Sequence, residues 1–135
     1  MAAEGPVLVI LPALLIGAVI GLIEMVFVHS DEIGMGWFMH GLHAFPFTVL
    51  FTFVSMNVSW VLAFVPGGFT SSLWVDLGVR LVVAIIAMLK IAAAAAIAGR
   101  VGERFYHTLI IGVLIFASYY VWMLIGPFVP LPTLF

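Results

Sequence analysis

A chain of 135 residues with 66% hydrophobic and 7% charged positions has too little polar surface for a water-soluble domain, where about a quarter of residues are charged. The net charge of −2 excludes an electrostatic nucleic-acid binder, and the absence of cysteine excludes a disulfide framework, a thiolate metal site and a thiol nucleophile. Lipid is therefore the expected solvent for most of this surface.

The opening "MAAEGP" lacks the basic region of a signal peptide, so the apolar run behind it is expected to be retained as a span. That run covers 7–28, long enough for a bilayer that needs about 20 apolar residues. Within it Ala13, Gly17 and Gly21 recur every four residues, and Gly17-x-x-x-Gly21 is a close-packing motif of membrane helices. Glu24, three residues past Gly21, borders that packed face rather than open lipid. The segment "HSDEIGMG" (29–36) then breaks the chain with turn chemistry.

The second run covers 37–65. His40 and His43 are three apart and project from one helix face. Pro46 frees the carbonyl of Leu42 beside His43, enough to kink the helix or to line a polar cavity. Thr48, Thr52, Ser55 and Ser59 fall on another face, either as a contact stripe for a helix or subunit or as hydroxyls bonded back to their own backbone. Asn57 needs a real partner for its amide.

After "PGGFTSS" the third run covers 73–98, where Asp76 and Arg80 have the i,i+4 spacing of a same-face ion pair and Lys90 lies further along. After "GRVGER" the fourth run covers 107–125, opening on His107 and carrying Tyr119 and Tyr120 as further polar partners. The three prolines of "GPFVPLPTLF" stop that helix. Trp37, Trp60, Trp74, Tyr106 and Trp122 stand near run ends, as interfacial aromatic belts do.

The fold class expected is an all-α integral membrane protein, one four-transmembrane-helix bundle forming a single domain over 1–135. An internal repeat would divide it into two parallel helical hairpins. "IGMGWFMHGL" (33–42) lies on "VGERFYHTL" (101–109) with one gap, pairing Gly34 with Gly102 and His40 with His107, and the same shift sets Glu24 against Lys90. Helix-start signals alone would mimic that match. Lys90, Arg100 and Arg104 place the 29–36 and 99–104 connections in the cytoplasm and both termini outside the cell membrane.

Rise per residue puts Lys90 about 6 Å and Glu24 about 9 Å to one side of the midplane, with the four histidines further out on that side. A buried Glu24–Lys90 ion pair is expected, the alternative being a snorkelling lysine and a protonated acid.

The function expected is binding and passage of a proton or cation through Glu24, His40, His43, Lys90 and His107, because histidines and buried carboxylates form proton relays. Asp76, Arg80 and Asn57 would form an outer polar network. An accessory subunit bracing a larger membrane complex is the alternative, and a metal- or haem-binding protein the second. A metal would use His29, Asp31, Glu32, His40 and His43, and a haem would need His43 and His107. The partners expected are the lipid bilayer and either further copies or other membrane subunits. With no G-x-S-x-G, H-E-x-x-H or phosphate-binding glycine loop, an enzyme is not expected.

Overall fold

The computed structural model describes residues 6–31, 34, 36–67, 72–99 and 104–131, apart from the side chains of 43 and 95–99. Among these residues every regular element is helical. In chain order they are α1 (Leu11–Asp31), α2 (Trp37–Met56), α3 (Val58–Leu62), α4 (Leu73–Gly99), α5 (Phe105–Ile125) and a closing 3-10 turn (Gly126–Phe128). Four segments are long and apolar enough to cross a membrane: Leu11–Asp31, Trp37–Met56, Leu73–Ala94 and Phe105–Phe128.

Local chemistry explains where the elements start and stop, and corrects two expected boundaries. The first helix begins at Leu11 rather than at 7, with Pro12 in the first turn, where a missing N–H has no helical partner. It runs on to Asp31, after which Gly34, with φ of 101°, reverses the chain. The second run is not one helix. Asn57, with φ of −110° and ψ of 18°, separates α2 from α3. A Pro66-Gly67 turn follows, with Gly67 at φ of 119°. The Ser72 hydroxyl accepts the Val75 N–H at 3.4 Å near the start of α4.

The central core comes from three helices. Ile20 of α1, Ala87 and Ile91 of α4, and Ile111 and Ile115 of α5 form its buried cluster, with Phe47 and Phe51 of α2 packed against it. The end of α1 and the starts of α2 and α5 share one end of the bundle, where His29 meets His40 and Asp31 meets Arg104, here called the histidine end. α3 and the start of α4 lie at the other, where Ser59 meets Asp76, here called the Arg80 end.

The tightest seam is between α1 and α2. A Cβ on Gly17 would lie 3.0 Å from the Val49 Cα, and one on Gly21 would lie 2.8 Å from the Thr48 hydroxyl oxygen. The Gly17-x-x-x-Gly21 motif therefore acts as expected, letting two backbones approach where any side chain would hold them apart. The stripe it meets is the hydroxyl face of α2, since Thr48, Thr52 and Ser55 are fully buried. That face is thus spent inside the protomer rather than offered to another subunit. The hairpins are not equally packed, α1–α2 being far more extensive than α4–α5.

Gly17→Ala is expected to cost about 1–3 kcal/mol, because a backbone atom cannot yield. Gly21→Ala should cost less when combined with Thr48→Ala, which removes the obstructing hydroxyl, whereas Gly17→Ala should not be rescued by that change. Unfolding curves in detergent titrated with dodecyl sulfate, taken for wild type, the three single variants and the two doubles, measure this.

Candidate functional site

At the histidine end α1 delivers Glu24, His29 and Asp31, α2 delivers His40, and α5 delivers His107. Glu24 and His40 are fully buried, and His107 is nearly so. The rings of His29 and His40 meet edge to face with their Nδ1 atoms 3.3 Å apart, so one imidazole holds the proton that the other accepts. Trp37 stacks on His29 with ring centroids 3.8 Å apart, which fixes the plane of that ring.

A second pair sits beside it. Asp31 Oδ2 accepts from His107 Nδ1 at 2.7 Å and from the Arg104 backbone N–H at 3.0 Å. Arg104 is the residue before the first turn of α5, so a carboxylate from α1 caps a helix in the other half of the chain. Phe27 stacks on His107 at 4.2 Å with the rings 4° from parallel, closing the site from the core side. The exposed Arg104 guanidinium adds an ion pair to Asp31 at 3.3 Å, of the screened kind worth little by itself.

Candidate metal ligands are split between these pairs. Among the described residues no three His, Asp or Glu side chains converge to hold a metal ion. Glu32 and the side chain of His43 lie outside the described residues, and with them the His43–His107 haem pairing.

Glu24 and Lys90 do not form the expected ion pair. Ion pairs among the described residues join Asp76 to Arg80 and Asp31 to Arg104 and His107. Glu24 lies on the buried face of α1 that carries Gly17 and Gly21, turned to the bundle interior. Lys90 lies on an outward face of α4, in an open groove beside Phe47, Leu50 and Phe51. The two are level by sequence arithmetic but separated by helix rotation, which rise per residue does not report.

The Arg80 end holds the most complete polar cluster. Arg80 is fully buried and donates from Nε to Asp76 Oδ2 at 2.7 Å and from Nη2 to Oδ1 at 2.8 Å. Ser59 donates to Asp76 Oδ1 at 3.3 Å and Tyr120 to Oδ2 at 3.2 Å, so each carboxylate oxygen has two donors. Arg80 Nη1 donates to the Ser55 carbonyl at the α2–α3 break, and the Tyr119 ring lies 3.9 Å from the guanidinium carbon. A cleft of about 400 Å³ opens over the pair between Ser59, Ser72, Tyr119, Tyr120 and Met123. The i,i+4 spacing of Asp76 and Arg80 foretold the pair; the break that supplies the Ser55 carbonyl had no comparable signal.

Asn57 belongs elsewhere, which corrects the expected outer network. Its Oδ1 accepts the Val9 N–H at 2.6 Å, and its Nδ2 donates to the carbonyls of Val9 at 2.9 Å and Phe53 at 2.8 Å. The amide copies a backbone pairing edge and ties the extended entry of α1 to the end of α2. By rise per residue Asn57 stands near the depth of Arg80, but its amide meets the segment leading into α1 instead of α4.

Compared with known proteins, the chain matches no family model, no curated protein and no solved structure.

Asp76→Asn would leave the Arg80 guanidinium buried without a counter-charge, and a loss of about 3–5 kcal/mol is expected. Adding Arg80→Met to that variant should recover part of the loss, since the uncompensated charge is then gone. Unfolding free energies of wild type, both singles and the double check this, and a strictly additive cycle would mean that the pair is not coupled.

Proposed function

We propose that this chain is an integral membrane bundle that takes up a proton at its histidine end and passes it along the α1–α2 seam to the Arg80 end. The membrane part rests on the surface. Leu14, Val19, Leu22 and Val26 of α1 and Leu81, Val82, Ile85 and Leu89 of α4 are exposed, an apolar exterior suited to acyl chains. The basic residues Arg100 and Arg104 orient the histidine end to the cytoplasm and both chain ends to the outside.

One observation carries the relay reading. His40, Thr48, Thr52 and Ser55 follow one another on a single buried face of α2, joining the two ionisable clusters. Thr48, Thr52 and Ser55 succeed one another at about 5–6 Å along the axis and His40 stands about 12 Å before Thr48, too far for direct hydrogen bonds, so water molecules would complete the chain, more than one of them between His40 and Thr48. Thr52 Oγ1 is buried with no hydrogen-bond partner among the described residues, which is where such a water would bind. Thr48 and Ser55 bond to the carbonyls of Ala44 and Ile115 at 2.7 and 2.8 Å, which orients their oxygens.

A bracing subunit is the second reading, favoured by the closed isoleucine core and by an Asp76 carboxylate that is already fully engaged. A stoichiometric partner complex, co-purified with or without the polar substitutions, would support that reading.

Proteoliposomes containing a pH-sensitive dye and held at a set membrane potential test the relay. Wild type should acidify faster than protein-free vesicles, and His40→Ala should abolish the difference. Thr52→Val should slow it roughly tenfold, as a barrier about 1.4 kcal/mol higher would. Equal rates with and without protein would overturn the proposal.

A further inference from the structure

The groove between α2 and α4 contains a cation, Lys90, that has no ion-pair partner among the described residues. Phe47, Leu50 and Phe51 of α2 form one wall, and Lys90, Ala93 and Ala94 of α4 form the other, enclosing about 360 Å³. The spacings i, i+3 and i+4 on both helices show why: each contributes a single face, large on α2 and small on α4. The alanines leave the space, and the leucine and the two phenylalanines make it apolar.

Lys90 does not belong to the polar clusters at either end. Arg80 is bound to Asp76 and Arg104 to Asp31, so among the described residues Lys90 is the cation with no carboxylate partner. Neither can a second copy supply one from the described residues. Glu24 is fully buried, Asp31 is engaged by Arg104 and His107, and Asp76 by Arg80, Ser59 and Tyr120. An ammonium on the apolar exterior of a membrane bundle is costly unless an anion comes to it. Lys90 lies nine residues before the end of α4 at Gly99, about 13 Å along the axis, and its flexible stem extends part of that way toward the headgroups.

We propose that this groove is a binding site for an anionic phospholipid, with the headgroup phosphate on the Lys90 ammonium and an acyl chain against Phe47, Leu50 and Phe51. The inference rests on the membrane part of the proposed function and is independent of the proton relay. Charge selects the lipid class and the apolar wall holds its tail, the arrangement of a basic pocket between membrane helices. The occupied groove would also brace α4 against α2, because Phe47 and Phe51 reach from the lipid wall to the core cluster of Ile20, Ile111 and Ile115.

The test is native mass spectrometry of the full chain in mild detergent, titrated with phosphatidylglycerol or phosphatidylcholine of equal chain length. Wild type should retain phosphatidylglycerol about fivefold more strongly, the effect of one lysine near an anionic headgroup. Lys90→Gln should erase that preference while Lys90→Arg keeps it, and Leu50→Ser should weaken both lipids alike. Circular dichroism confirms that each variant is folded. Equal retention of the two lipids by wild type, or a preference that survives Lys90→Gln, would overturn the inference. Recovery of the wild-type chain from the aqueous fraction without detergent would overturn the membrane reading as well, whereas loss of lipid preference in a membrane-bound protein would overturn this inference alone.

Discussion

Gly17 and Gly21 bring the backbone of α1 against α2, and the polar residues of the first hairpin are arranged along the line that this approach creates. At one end Asn57 clasps the backbone of Val9; in the middle the Thr48 and Thr52 side chains fill the space that the glycines leave; at the other end His29 meets His40. Glu24 is buried on the same face of α1. A wider seam would admit lipid or leave hydroxyls facing hydrocarbon, where an unsatisfied polar group costs several kcal/mol. Close approach is therefore a condition for burying polarity as much as a source of packing energy.

The two ends use charge differently. At the Arg80 end the Asp76 carboxylate accepts from Arg80 at both oxygens and from Ser59 and Tyr120, and each guanidinium nitrogen donates one hydrogen bond, to Asp76 or to the Ser55 carbonyl. Such a cluster is rigid and specifies how α4 sits on α2 and α5. At the histidine end the groups are imidazoles, whose hydrogen bonds change with protonation. Asp31 couples that end to the rest of the fold by capping α5, so a change at His107 is felt by α1 and α5 together.

Much of this architecture was legible in the chain. Hydropathy and length marked the helices long enough to span, because lipid leaves the backbone no other way to satisfy its hydrogen bonds. Gly17-x-x-x-Gly21 announced the α1–α2 contact, and Asp76 with Arg80 announced a same-face pair, since both are consequences of helical periodicity. The start of α1 at Leu11 and the break at Asn57 were not legible. Each depends on the other, the break making the amide available and the extended entry supplying Val9 to receive it.

By itself, then, the sequence determined the all-helical class, the segments apolar enough to span, and the faces on which small and polar residues recur, because these follow from local periodicity and solvation. Only the tertiary structure decided which polar groups meet. It joined Asp31 to His107 across the chain, gave Asn57 to Val9 instead of Arg80, and turned Glu24 inward while Lys90 faced out. The reason is rotational. Depth along a helix can be counted from residue numbers, but the direction a side chain faces is set by how each helix is rotated against its neighbours, and that is a property of the packed bundle.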